Sequence, residues 1–247
     1  MPSLPKRYIA VARDLTGYWG AYPLSRPVKP GEIGRSVSGV FEHERHLRNL
    51  PGVDFDDYAQ FDQPTGDSYN AWRSDGVHDE LLELGLPAVA TTLPVGAQIK
   101  LSFKGAHSAC VSLRAARYIG FEDLVPIRDL VLRLWEDKVW DADWVLVTEV
   151  MAAESAAIVF ATEAGQSASF RVSASLPFPG DIMSLVAEPS VSRTASSSMF
   201  ERAPGQCTPL FKAVRMRRGF GGLRPESVIA VKGPDDFFEE PSFGNVE

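Results

Sequence analysis

The sequence predicts an α+β fold, a twisted and mostly antiparallel sheet with surrounding helices, in a single compact domain with a short C-terminal tail. Two observations predict it. Residues 98–104 and 167–175 alternate apolar and polar side chains at strand period, and the amphipathic stretch 124–138 lies between strand-like segments with no repeated β-α-β unit. With 247 residues, 45% apolar and 23% charged, the chain has enough material for a core. No window approaches the ~18 uninterrupted apolar residues of a membrane-spanning helix.

Taken in order, Leu4, Tyr8, Val11, Leu15, Tyr18 and Trp19 recur at spacings of three and four, which predicts an amphipathic helix ending near Tyr22-Pro23. Proline and glycine from Pro23 to Gly34 read as loop. The Asp-rich region from Val53 to Asn70 reads as irregular structure. Asp75 is placed to cap a short helix through Leu84, with Gly85 as its stop and Pro87 beyond. In 124–138, Leu124, Ile127, Val131 and Leu134 line one helical face and Arg128, Asp129, Arg133 and Glu136 the other. Asp123 is the expected N-cap, with Pro126 in the first turn, where its missing N–H has no intrahelical partner to lose.

The strands carry most of the reading. In Gln98–Lys104, Ile99, Leu101 and Phe103 oppose Gln98, Lys100, Ser102 and Lys104. After Gly105-Ala106, Ala109, Val111 and Leu113 oppose Ser108, Cys110, Ser112 and Arg114, so the two strands are expected to form a hairpin. Trp144–Val150 and Ala156–Ala161 are rich in strand formers. Glu163-Ala164-Gly165 then turns into 167–175, where Ala168, Phe170, Val172 and Ala174 oppose Ser167, Ser169, Arg171, Ser173 and Ser175, a second expected hairpin.

Charge divides the chain. The formal net charge is −7, and a pI near 5.2 excludes nucleic acid as the main partner, because phosphate binding needs a dense basic face. Residues 36–96 hold three basic against eleven acidic residues. Lys212, Arg215, Arg217 and Arg218 precede Gly219, Gly221 and Gly222, and the acidic PDDFFEEPSFGNVE follows. This divides the chain into a globular domain, 1–218, and a glycine hinge with an acidic tail, 219–247. The N-terminus reaches Arg13-Asp14 before a signal-peptide core forms, so the mature start reads as Met1. Cys110 and Cys207 read as thiols in a reducing cytoplasm.

Catalytic and ligand motifs are sparse. His43 and His46 are three apart beside Glu42 and Glu44, which is not a metal-binding HExxH, and they read as a solvated helical face. His107 at a turn and Cys110 on a strand do not make a dyad. Asp54, Asp56 and Asp57 lack the glycine and distal Glu of a calcium loop. No nucleophile elbow, phosphate loop or dinucleotide fingerprint is present; neither a catalytic residue nor a cofactor or metal is expected.

The order of alternating hairpin, amphipathic helix, the block DWVLVTEVMAAESAAIVFATEAGQSASFRVSAS and CTPLFKAVRMRR with a short acidic tail resembles the bacterial gasdermin family, small relatives of the animal pore-forming gasdermins. The resemblance spans residues 97–240. It implies a cytoplasmic protein held inactive by its tail, cut by an activating protease, and oligomerising with itself in inner-membrane lipid as a β-barrel built from two hairpins per subunit. Ile99, Leu101, Phe103, Ala109, Val111, Leu113, Ala168, Phe170 and Val172 would then face lipid, and Lys100, Lys104, Arg114 and Arg171 the lumen or headgroups. Arg217, Arg218 and Lys232 mark candidate cleavage sites, and Phe237 and Phe238 the docking element of the tail. An acylated cysteine after the initiator Met, common in that family, is replaced here by Pro2, Ser3 and Leu4. Cutting after Arg218 takes the formal charge from −7 to −3, and each freed basic residue near an anionic surface contributes about 1 kcal/mol. The alternatives are a non-catalytic oligomeric scaffold or interaction domain in the cytoplasm, and an enzyme whose site is assembled from dispersed residues.

Overall fold

Four long antiparallel passes of chain, each bent twice, make up most of the computed structural model, which describes residues 4–82, 92–177, 182–216, 238–239 and 241. Helix α1 (Leu4–Thr16) leads into β1 (Trp19–Gly20) and the hairpin of β2 (Glu32–Val37) with β3 (Val40–His46). The first pass is β4 (Gln60–Pro64), β5 (Tyr69–Arg73) and β6 (Val77–Leu82). After β7 (Thr92–Leu93), the second is β8 (Gln98–Phe103), β9 (Ala109–Arg114) and β10 (Arg117–Phe121). Helix α2 (Val125–Glu136) joins it to the third, β11 (Val145–Ala153), β12 (Ser155–Phe160) and β13 (Ser167–Val172). β14 (Leu176–Pro177) and a 3-10 helix, Ile182–Ala187, lead to the fourth, β15 (Val191–Ser196), β16 (Met199–Ala203) and β17 (Cys207–Met216). β18 (Phe238–Glu239) then pairs with β17.

Bending divides the passes among three sheets with one strand order. A basal sheet runs β1-β17-β11-β10-β4, a middle sheet β16-β12-β9-β5 and a distal sheet β15-β13-β8-β6, so fourth, third, second and first passes are neighbours in all three. The corners are built from left-handed backbone: Gly66 and Ala115 between basal and middle sheets, and Gly76, His107 and Gly165 between middle and distal sheets. Gly165 has φ +81 and donates its N–H to Phe103 O at 2.8 Å, a conformation only glycine takes without a Cβ penalty. Ala115 and His107 carry that penalty, roughly 1–2 kcal/mol each.

At its centre the middle sheet has no wet face. β12 is buried at every position. Its Ala156 and Ile158 pack with Tyr8, Ile9 and Ala12 of α1, while Ala157 and Val159 pack with Leu101 and Phe170 of the distal sheet. Each such large apolar side chain contributes about 1.5–3 kcal/mol when fully buried. The distal sheet buries one face only: β8 and β13 alternate buried with half-buried or exposed residues. On the basal sheet, α2 lays Ile127, Leu130, Val131 and Leu134 against Leu146, Phe121 and Met216. The β2–β3 hairpin extends this sheet by pairing Ile33 and Gly34 with Leu146 and Val145.

The structure is thus mostly antiparallel β, with two α-helices among the described residues, where the sequence predicts surrounding helices. The strands at 98–103 and 167–172 and the helix at 125–136 form as expected. The α2 cap residue is Leu124, one place later than expected, and Asp123 Oδ1 instead accepts the N–H of Val125 at 2.8 Å. Helix α1 ends at Thr16 rather than near Pro23, because Gly17 turns at φ +76 and Trp19 joins β17 as a strand. The loop expected from Pro23 to Gly34 gives way to β2 at Glu32. Residues 53–70, expected to be irregular, contain β4 and the start of β5. The helix expected from Asp75 is β6, paired with β8 from Val77↔Phe103 to Leu82↔Gln98. His43 and His46 lie on β3, not on a helix.

Both expected hairpins are also corrected. β8 pairs with β13 and β6, while β9 pairs with β12 and β5, so the turn at Gly105-Ala106 crosses between stacked sheets instead of joining neighbours. β12 and β13 are separated in the same way. Alternation fixes which face a strand buries, not which strand it pairs with.

Candidate functional site

The residues expected to face lipid converge on the middle and distal sheets. All nine, from Ile99 to Val172, are at most 1% exposed. Ile99, Leu101, Phe103, Ala168, Phe170 and Val172 lie between the two sheets, and Val111 and Leu113 on the α1 side of the middle sheet. The expected lumen residues divide. Lys104 and Arg171 are exposed, and Lys100 is half-buried opposite Glu80 and Ser169 in the distal sheet. Arg114 is instead engaged in ion pairs with Glu154 and Glu188, both at 3.2 Å. Arg217, Arg218, Lys232 and Phe237 lie outside the described residues. The backbone of Phe238 pairs with Met216.

Between the middle and distal sheets sits the 3-10 helix, whose Met183, Leu185, Val186 and Ala187 are part of their shared core. Ser112 Oγ donates to Ser184 O at 2.9 Å and Ser155 Oγ to Ala187 O at 2.7 Å, and both serines are fully buried. Arg202 Nη2 donates to Val186 O at 2.8 Å, while burial pulls its guanidinium below the usual arginine range and its Nε finds no partner. Glu188, just past the helix, accepts from Tyr69 Oη and faces Arg114. Burial together with this carboxylate pushes the Tyr69 phenol up to about 12. Sequence reasoning missed this cluster: an apolar run ending in Glu-Pro carries no periodicity of its own.

The other chemistry-bearing residues serve local structure. His107 lies over Phe160 on the α1 side of the middle sheet, whereas Cys110 faces the distal sheet. Cys110 and Cys207 sit in separate core clusters and form no disulfide. Asp54 accepts the N–H of Asp56 at the start of a short 3-10 turn. Glu32 is buried on β2 with His43 Nδ1 at 3.2 Å and Arg26 at 4.0 Å, and burial raises its carboxyl despite these neighbours. Among the described residues no three His, Cys, Asp or Glu side chains gather as a metal ion requires.

A groove of about 740 Å³ follows the corner between basal and middle sheets, lined by residues of all four passes including Asp67, Arg117, Glu154 and Gln206. Arg117 is committed to Asp62 at 2.8 Å and Glu154 to Arg114, so the groove offers no convergent catalytic set. No protein-family model matches this sequence, and no curated protein matches it. No helix among the described residues is long and apolar enough to cross a membrane.

Proposed function

We propose that the chain is a pore-forming protein in its compact state, of the kind the gasdermin resemblance implies. One observation carries this reading. In the second pass the apolar side chains at 99, 101, 103, 109, 111 and 113 keep one parity through the corner between middle and distal sheets, and in the third those at 156, 158, 160, 168, 170 and 172 do the same, although Ala157, Val159 and Ala161 are apolar on the other side as well. In the compact state these residues face two different layers, which need share no parity. Straightened at the corner, each pass presents one continuous apolar face, with Lys100, Ser102, Ser112 and Arg114 opposite it in the second pass.

Such a strand suits a bilayer. A spanning β-strand needs roughly nine to eleven residues with alternate sides in lipid and water, and no open backbone groups in between. Straightening both corners preserves every strand neighbour, because the order is the same in all three sheets. The two hairpins donated by each subunit would then be first pass with second and third with fourth, not the β8–β9 and β12–β13 pairs expected from sequence. The tail has a role in this reading. β18 lies along β17, at Arg215↔Glu239 and Met216↔Phe238, and shares with β1, paired at Phe211 and Leu210, an edge that a neighbouring subunit would need. An activating protease would clear the β18 part of that edge, β1 having to leave as well, and inner-membrane lipid and further copies of the chain would be the partners.

The test is dye release from anionic liposomes, comparing intact protein with protein cut on demand at a site-specific protease sequence inserted at 219–222. Leakage only after cutting is the expected result. No leakage from any cut between 217 and 232 overturns the proposal and favours a non-catalytic interaction domain.

A further inference from the structure

The 3-10 helix and Glu188 are bonded to all four passes of the middle sheet: Tyr69 of the first, Ser112 and Arg114 of the second, Ser155 of the third and Arg202 of the fourth. Chain connectivity does not require this. The segment joins the third pass to the fourth at the distal sheet, yet it reaches back to the middle sheet and fills the space between the two. We infer that residues 182–188 are a latch holding the distal sheet folded onto the middle sheet, and that the latch lifts as a unit before the sheets separate; its part in pore formation rests on the function proposed above.

The chemistry fits a reversible hold better than permanent packing. Two fully buried serine hydroxyls in a sheet of Ala, Val and Ile give up apolar contact, and donate to carbonyls of the latch. Arg202 keeps a buried Nε–H without a partner, a penalty recovered when the latch lifts and water enters. Once exposed, Ser112, Arg114 and Arg202 find partners in water, while Ala157 and Val159 beside them lose their apolar cover.

Hydrogen exchange on the full chain tests this. Ser112→Ala with Ser155→Ala, and separately Glu188→Gln, should each lower protection of 98–103 and 167–172 by about tenfold while 145–153 and 207–216 keep wild-type protection, the signature of a sub-global opening. Loss spread evenly over all three sheets, or no loss, overturns the latch. Leu146→Ala, in the α2 core, serves as the control and should lower protection of the basal sheet. If the serine pair does not fold, Tyr69→Phe removes one hydroxyl from Glu188 and should give the same selective pattern at smaller amplitude.

Liposome leakage forms a second arm. After tail cutting, the latch variants should leak several-fold faster than cut wild type, and equal rates overturn control by the latch. Selective exchange with no leakage from any form supports the latch and defeats the pore reading alone.

Discussion

His46 bonds through Nε2 to the carbonyl of Pro30 at 3.0 Å, while its Nδ1 accepts the backbone N–H of Arg48 at 3.1 Å, so the ring is held neutral with the proton on Nε2. Burial, chiefly, keeps the imidazole below its ordinary value of 6.5, against the opposing effect of the Pro30 bond. The unfolded chain therefore binds a proton more readily than the fold. Stability contributed by His46 is complete above pH 6.5 and is lost as pH falls through 6.5 toward the folded value. Thermal melts between pH 7.5 and 5.5 should show a falling midpoint, with a shallower slope in His46→Gln; identical slopes would show that another group sets the dependence.

Helix α2 ends in a Schellman motif with a lysine at the glycine position. Val139 N–H bonds Leu134 O at 2.8 Å, Lys138 N–H bonds Trp135 O at 3.0 Å, and Lys138 has φ +58. Lys138→Gly removes the left-handed penalty and should stabilise the protein by about 1 kcal/mol. Lys138→Val should destabilise it. Urea midpoints measure both.

Tyr8 seats α1 by closing on β1 where there is no room for a side chain. A Cβ at Gly20 would stand 2.6 Å from the Tyr8 ring, whose hydroxyl is turned inward and kept un-ionised by burial. Gly20→Ala should cost about 1–3 kcal/mol through overpacking. Tyr8→Leu added to it should recover part of that loss, and strictly additive effects in the double-mutant cycle would refute the contact.

Cys110 reports on separation of the middle and distal sheets, since it is fully buried between them. Cys207 lies elsewhere in the core, its thiol pushed up to about 11 by burial. Neither should react with a thiol reagent in the native protein, and both should react in denaturant. With tail-cut protein on vesicles, Cys110 should become reactive; continued protection during leakage would mean that the two sheets do not part.

How far the fold was legible depended on what fixed each element. Gln98–Phe103 and Ser167–Val172 bury one face, so their period survives in sequence, and α2 shows its stripe of Ile127, Val131 and Leu134. β12 reads as a strand from its composition, but burial of both its faces leaves no alternation to indicate its layer. The end signals at Asp75, Gly85 and Pro87 predict a helix, yet pairing of residues 77–82 along β8 overrides them. The latch was invisible because its meaning lies in partners far apart in the chain: Ser112 and Ser155 look like ordinary polar positions until Ser184 and Ala187 are set beside them. The outward polar row of Lys100 and Arg171 was legible, whereas the commitment of Arg114 to Glu188 was not.

Four is an even number, and the passes alternate in direction, so the two margins of the folded ribbon run opposite ways: β4, β5 and β6 from basal to distal, and β15, β16 and β17 from distal to basal. A second copy laid alongside in the same orientation meets an antiparallel neighbour at the seam, and so does every copy after it. Three or five passes would have forced a parallel seam at each junction. In the middle and distal sheets the chain is a tile whose left and right borders match; in the basal sheet the same join requires β1 and β18 to leave β17.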